Sequence, residues 1–234
     1  MENRIKVILD IVRDIDHTNI QTFIDLGCHN GTLTLLVANV AGAKAVYGVD
    51  MDKEALEKAS SNGVKTFYGD LDTYKLPFAD NYFDLILSAA TLGYLIDPDN
   101  LLREAYRVLK PEKYFILGSG SSLGSWINRF ALLLGYQPSG CHVSSEVHHA
   151  GMFFGKKMDS AFHKEQFHGH AFRVFTLKAI KELLEHHRFE IVKVKGAYGE
   201  FPHSKIVRMI DTIFSRRASW ARRNITLATK PKAE

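Results

Sequence analysis

Short apolar runs recur through the first half of the chain. Each gives way to a glycine-bearing or acidic turn, then to a segment with helical spacing. "TFIDLG" ends at Gly27 and leads into "TLTLLVANVAG", and "KAVYGVD" ends at Asp50 and leads into "KEALEKASSNG". "VKTFYGD" ends at Asp70, "YFDLILS" ends at Ser88 with "PDNLLREAYRVLK" beyond it, and "KYFILGS" follows. Such alternation predicts βαβ units, a parallel sheet and helices on both of its faces. Asp99 or Asn100 is placed to cap a helix that begins near Leu101, with Pro111 marking its end. Gly63 is placed to close the helix after Asp50 in the left-handed conformation.

After Gly120 the rhythm changes. Ser121 to His170 is rich in Gly, Ser and His, with one helical segment, "SWINRFALLLGY". Regularity returns with a helix over "TLKAIKELLEHHRF", capped by Thr176, and a strand over "EIVKVKGAY". An amphipathic helix, "SKIVRMIDTIFSRR", and a final strand, "RNITLATK", complete the pattern. The expected fold is a single α/β domain over 1–234 with a lid-like insertion, about 120–172, after the fifth strand.

Composition narrows the classes. The 234 residues fit one domain with a sizeable core, and their apolar and charged fractions are ordinary for a globular protein. No run approaches the roughly 18 apolar residues of a membrane span. The start, "MENRIKVILDIVRDI", is interrupted by charges and reads as an amphipathic helix, not a signal peptide. Two cysteines, Cys28 and Cys141, make no disulfide framework, so a cytoplasmic setting is expected. The net charge of +4 is concentrated in residues 200–234, where eight Lys/Arg stand against three acids. The remainder is close to neutral.

The chemistry gathers at the strand ends. In open parallel sheets ligands lie beyond the carboxyl ends of the strands, near the switch in strand order. Asp25 with Gly27, Asp50, Asp70 and Ser88 all fall at such ends. The loop Gly27-Cys28-His29-Asn30-Gly31 lacks the G-x-G-x-x-G spacing of a dinucleotide site, and Asp25 would repel a phosphate. A ligand with hydroxyls and an amine suits these acceptors better.

"FIDLGCHNG" resembles motif I of the class I S-adenosylmethionine-dependent methyltransferases, usually D-x-G-C-G-x-G. "VYGVDMD", "FYGDLDTYKLPFADNYFDLILSAATLGYL" and "LLREAYRVLKPEKYFILGS" resemble the motifs that follow, in order, from about Gln21 to Ser119. The match is most similar to the type 11 branch, which mostly modifies small molecules. The resemblance implies a Rossmann-like, seven-stranded, mostly parallel sheet with an antiparallel last strand. It places a cofactor-binding half at about 1–119 and the acceptor side in the insertion. S-adenosylmethionine would be the cofactor and S-adenosylhomocysteine the product.

Carried over by position, Asp25 and the Gly27–Cys28–His29–Gly31 loop hold the methionine moiety. Asp50 takes the ribose hydroxyls and Met51 packs on the adenine. Asp70 and the Leu71 N–H meet the adenine edge, and Ser88 and Ala89 lie beside the amino-acid portion. Two departures stand out. Lys113 replaces a glycine of R-V-L-K-P-G-G. His29 replaces the middle glycine of motif I, although histidine is among the residues enriched at positive φ. Its ring is expected over the cofactor's edge or in solvent, with a catalytic base as the alternative.

An acceptor hydroxyl would benefit from a general base within hydrogen-bond reach. Tyr94, in "TLGYLID", and His149 and His170, in the insertion, are the candidates. The insertion also carries His142, His148, His163 and His168 beside Cys141, but their spacing matches no metal motif, and no metal is expected. Tyr94, Trp126, Tyr136 and Phe153 are candidate pocket aromatics, with core packing as the alternative, and Arg173 a candidate partner for an anionic acceptor. A small-molecule acceptor is the favoured partner. Arg216, Arg217, Arg222 and Arg223 around Trp220 allow an RNA- or protein-directed enzyme instead, and an inactive cofactor-binding module is a third reading.

Overall fold

The computed structural model describes residues 2–16, 19–119, 122–138, 173–198 and 205–232. The elements run α1 (Asn3–Asp14), β1 (Thr22–Leu26), α2 (Thr32–Ala41), β2 (Ala45–Asp50), α3 (Lys53–Ser61), β3 (Lys65–Tyr68), β4 (Phe83–Ala89), α4 (Asp99–Val108) and β5 (Leu109–Gly118). They continue with α5 (Trp126–Leu133), α6 (Leu177–His186), β6 (Glu190–Ala197), α7 (Lys205–Ser215) and β7 (Arg223–Thr229). The strands form one sheet in the order β3-β2-β1-β4-β5-β7-β6. β1 to β5 are parallel, and β7 runs antiparallel between β5 and β6. This is the expected Rossmann-like sheet with its antiparallel last strand. The strand order reverses between β1 and β4, which sets the ligand crevice over their carboxyl ends.

Alternation along the buried strands divides the core. Ile24, Leu26 and Ile86 face α4 and α6 in one cluster, with Leu101, Leu102, Ala105, Ile180 and Leu184. Phe23, Leu85, Leu87 and Ile116 face the other way, against Ile8, Ile11 and Val12 of α1 and Val37 and Ala41 of α2. Side chains at successive strand positions point to opposite faces, so an unbroken apolar run is what a sheet covered on both sides requires.

Helix ends follow local chemistry. Asp52, Ser125 and Thr176 each cap a helix by accepting from the N–H three residues on, those of Ala55, Asn128 and Ala179. Gly63, at φ +95°, follows α3 as expected. The start of α4 differs from expectation. Neither Asp99 nor Asn100 caps it, because the Asn100 amide is engaged by the carbonyls of Leu71 (3.0 Å) and Tyr74 (3.2 Å). Asp97 does the capping work, accepting from the Asp99 N–H at 3.1 Å.

Pro111 also has a different setting. α4 already ends at Val108, and β5 begins at Leu109. Leu109 pairs with Phe83 and Tyr114 with Leu85, so residues 110–113 bulge out of register. Within that bulge Glu112, not Lys113, adopts a positive φ of 61°.

α5 occupies the helical segment expected at the start of the insertion. Residues 139–172, which include His149, His170 and the rest of the insertion histidines, lie outside the described residues. No described helix is long and apolar enough to cross a membrane.

Candidate functional site

The site grows from the turn between β1 and α2. Gly27 and Cys28 donate their N–H groups to the Val49 carbonyl at 2.8 and 3.1 Å, which fastens the loop to the end of β2. Gly27 has φ +91°, and a Cβ there would lie 2.0 Å from the Thr91 hydroxyl oxygen. Both backbone conformation and space therefore demand glycine. Thr91 in turn donates to the Leu26 carbonyl at 3.0 Å, so the loop after β4 is tied to the end of β1. Thr91 was not singled out in the sequence, and only its place just after an apolar run hints at this role.

His29 occupies φ +46°, the left-handed region anticipated for it. Its N–H donates to Asp50 Oδ2 at 2.7 Å, and its exposed ring lies 3.9 Å from the Asp52 carboxylate. Cys28 turns the opposite way. Its side chain is buried against Gly48 of β2, where a Cβ would come within 2.6 Å of the sulfur. Burial pushes its thiol pKa well above the usual range. Of the loop residues, Cys28 therefore contributes backbone to the site and packing to the core.

Asp25 is 2% exposed. Thr34 of α2 donates to its Oδ2 at 2.7 Å, while Oδ1 is buried with no partner. Burial raises its pKa from 3.8 to about 7. The Thr34 hydrogen bond opposes that shift, Asp50 adds to it, and the Arg4 charge weakly counters it. Asp50 is half-buried and pinned on both oxygens, by the N–H of His29 and by that of Asp52 at 3.0 Å. Each oxygen retains acceptor capacity toward the crevice. Ser88 is fully buried, and its hydroxyl also lacks a partner.

Asp70 is exposed and accepts from the Asp72 N–H at 3.0 Å, beside the buried Leu71. Met51 is 47% exposed at the end of β2. Asp72, which sequence reasoning passed over, accepts the N–H groups of Ile96 (3.1 Å) and Asp97 (2.8 Å). It clamps the loop after β3 to the loop that carries Tyr94. Tyr94 is 40% exposed overall, yet burial around its hydroxyl raises its pKa. At neutral pH it holds its proton, which suits a donor and not a base.

These groups are what an amine, a diol and a purine edge require, and the loop offers no phosphate cradle. An orphaned, buried carboxylate oxygen at Asp25 is the feature that best fits a cationic amine, since leaving such an atom unpaired is unfavourable. The residues present therefore fit S-adenosylmethionine. The sequence model of the type 11 family described as "Methyltransferase domain" matches residues 24–117, from β1 through β5.

Residues 24–117 carry the sequence pattern of the type 11 methyltransferase domain.

Known proteins resemble this chain in two ways. Among curated relatives, the 2-phytyl-1,4-naphtoquinone methyltransferase of Nostoc punctiforme is 40% identical over 101 residues, 38% of this chain and 42% of that enzyme. The arsenite methyltransferase of Aquipseudomonas alcaligenes is 36% identical over 107 residues, 39% of this chain and 31% of that enzyme. The alignments thus span under half the length of either relative. In three dimensions, an S-adenosylmethionine-dependent methyltransferase from Mesorhizobium loti superposes with a TM-score of 0.61, 18% identity and 95% of each chain covered. That likeness is one of fold. Among the described residues no group of three or more His, Cys, Asp or Glu is arranged to hold a metal.

Proposed function

We propose that the protein transfers the methyl group of S-adenosylmethionine to a small-molecule acceptor. The observation that carries this reading is the pair of strand-end carboxylates, Asp25 with its unpartnered buried oxygen and Asp50 with both oxygens fixed but unsaturated. Asp25 would hold the cofactor's ammonium, and Asp50 its ribose hydroxyls. Met51 would cover the adenine, Asp70 and the Leu71 N–H would meet its edge, and Ser88 and Ala89 would border the amino-acid end. The bound cofactor supplies a methyl group already activated on a sulfonium, so the transfer is an in-line displacement.

What remains for the chain is alignment. A nucleophile must be held about 3 Å from the methyl carbon, and such positioning alone is worth several kcal/mol. The loop carrying Tyr94 is tethered by its own Thr91, which bonds the Leu26 carbonyl of β1, and by Asp72 of the loop after β3. Tyr94, protonated, would donate to an acceptor oxygen. A small acceptor is supported by the relatives, which are named for a naphthoquinone and for arsenite and not for a polymer.

Calorimetric titration tests the reading directly. S-adenosylmethionine should bind and NAD should not. Asp50→Ala should weaken cofactor binding about 100-fold, the magnitude of two charge-assisted hydrogen bonds. Unchanged affinity in that variant would remove the assignment.

A further inference from the structure

The end of α5 and the outer face of α7 carry apolar side chains that the fold leaves in solvent. Phe130, Leu132, Leu133, Leu134 and Tyr136 are exposed within one short stretch, Leu133 to 80%. On α7, Ile206, Met209 and Ile213 are each more than half exposed. Single apolar residues are normal on a surface. These eight, however, are over half of the fourteen large apolar residues exposed among the described residues, and a concentration of that kind marks an interaction site.

The rotation of α7 is fixed with a polar face inward. Asp211, fully buried, accepts from the Trp126 indole N–H at 2.7 Å. Ser215 is also buried, and its carbonyl lies where a side chain on Gly196 of β6 would collide. These anchors hold positions 206, 209 and 213, which share one face at helical spacing, away from the core. Phe214 stacks on Trp126 at 5.5 Å and Phe130 meets the same ring edge-on at 6.4 Å, so the two helices adjoin around one tryptophan.

The exposed charge here has one sign. Arg129, Lys205, Arg208, Arg216 and Arg217 are exposed. Across residues 126–138 and 205–223 the only acid is Asp211, which is buried. Apolar side chains beside unopposed cations suit an anionic lipid surface, where the first enter the interface and the second meet headgroups. A second copy of the chain would bring like charges together, and a nucleic acid would leave the leucines in water. Both helices also adjoin the crevice edge of the sheet. α5 follows β5 in the chain, and α7 precedes β7, whose Asn224 carbonyl accepts the Ser119 N–H at 2.8 Å just beyond the carboxyl end of β5.

We infer that the α5–α7 face is a membrane-docking surface that lies on an anionic bilayer with its apolar side chains in the interface. The inference is independent of the methyltransferase reading.

Vesicle co-sedimentation of the full chain tests it. The probes are vesicles of phosphatidylcholine alone, and of phosphatidylcholine with phosphatidylglycerol at about 7:3. At low salt the wild type should partition at least about tenfold more strongly onto the anionic vesicles, as several clustered cations require. Trp126 and Trp220, the only tryptophans of the chain, both stack on Phe214. Anionic vesicles whose phosphatidylcholine is brominated in its acyl chains should therefore quench their fluorescence. Leu133→Glu and Ile206→Glu, at positions open to solvent, should each lower partition at least about fivefold. Arg216→Glu combined with Arg217→Glu should abolish the preference for anionic vesicles. Lys58→Glu, exposed on α3 beside the opposite edge strand β3, changes the charge more than Leu133→Glu and should bind like the wild type. Equal partition onto both vesicles, absent quenching, or wild-type binding by Leu133→Glu and Ile206→Glu would overturn the surface. So would an equal loss in Lys58→Glu, the mark of general charge attraction. Self-association in sedimentation velocity, or RNA binding, that these variants abolish while vesicles go unbound would assign the face to another partner and overturn it too.

Discussion

At the residue scale, Asp25 shows how one buried oxygen couples stability to ligand binding. Its pKa is raised by burial from 3.8 to about 7. Between those values the folded protein keeps a proton that the unfolded chain has released. The stabilisation is thus complete in acid and is lost as pH rises through about 7, at about 1.4 kcal/mol per pH unit. Asp25→Asn mimics the protonated form and should hold its melting temperature across pH 4.5 to 7.5, where the wild type declines. Parallel thermal-denaturation curves would contradict this. A cationic amine opposite Oδ1 favours the ionised form, so cofactor binding at pH 6 should release a proton, measurable in buffers of differing ionisation enthalpy. His29 offers a second test. Left-handed conformation costs a non-glycine residue about 1–2 kcal/mol, while glycine loses up to about 1 kcal/mol more backbone entropy on folding. His29→Gly should therefore change stability little or raise it by about 1 kcal/mol, with cofactor affinity intact. A tenfold loss of affinity in titration would show instead that the ring touches the ligand.

At the scale of elements, the R-V-L-K-P stretch turns out to be a set of latches. Arg107 donates to Glu104 on α4 at 2.6 and 2.8 Å, to the carbonyls of Leu76 (2.9 Å) and Phe78 (2.8 Å), and to Asp80 at 2.9 Å. Glu104 also accepts the Leu76 N–H at 2.7 Å. Burial alone would raise the Glu104 pKa, but these partners hold it below its usual value. The network fastens α4 to the segment between β3 and β4. Three residues after Arg107, Lys110 reaches Asp84 at 2.7 Å, and Asp84 accepts both Gln21 and Thr22 N–H groups at 3.0 Å, joining β4 to β1. Arg107→Met leaves a buried charge poorly compensated and should cost about 3 kcal/mol by urea denaturation. The double variant with Glu104→Met should recover much of that loss. Equal losses in single and double variants would show that packing, not charge, decides the effect.

Elements were readable because their apolar runs face two packed layers, and the strand-end positions of Asp25, Asp50 and Gly27 were readable because strand ends are marked by abrupt changes of residue type. Thr91, Asp72 and Arg107 were not readable as clamps, since their partners are remote in sequence and their residue types are common on surfaces. Cys28 looked like a site residue from its position in the loop. Only the room made by Gly48 across the sheet shows that its side chain points inward.

At the scale of the whole molecule, part of the basic C-terminal segment is put to internal use, while Arg216 and Arg217 stay exposed. Lys230 donates to Asn81 and to the carbonyls of Tyr106 and Leu109 at 2.7 to 2.9 Å. Arg222 and Arg223 are half-buried, and Arg223 lies beside Glu2. Trp220 stacks on Phe214 at 5.4 Å and is covered by the Arg129 guanidinium at 4.6 Å, so its ring is no open platform for a base. Binding to a single-stranded RNA oligomer should accordingly be weak at 50 mM salt. A strong interaction that falls steeply as salt rises would restore the nucleic-acid alternative.

β7 pairs on one side with β5 and on the other with β6, although it follows both in the chain. The sheet is thus completed against the order of synthesis. β1 to β5 can pair as they leave the ribosome, but β6 emerges with no strand to join until β7 arrives to be wedged between. During that interval β6 is an unpaired edge, the kind of segment that invites association with other chains. Its sequence is suited to the wait: Glu190, Lys193 and Lys195 intersperse charge among its apolar residues. These side chains protect a nascent chain as much as they decorate the finished one.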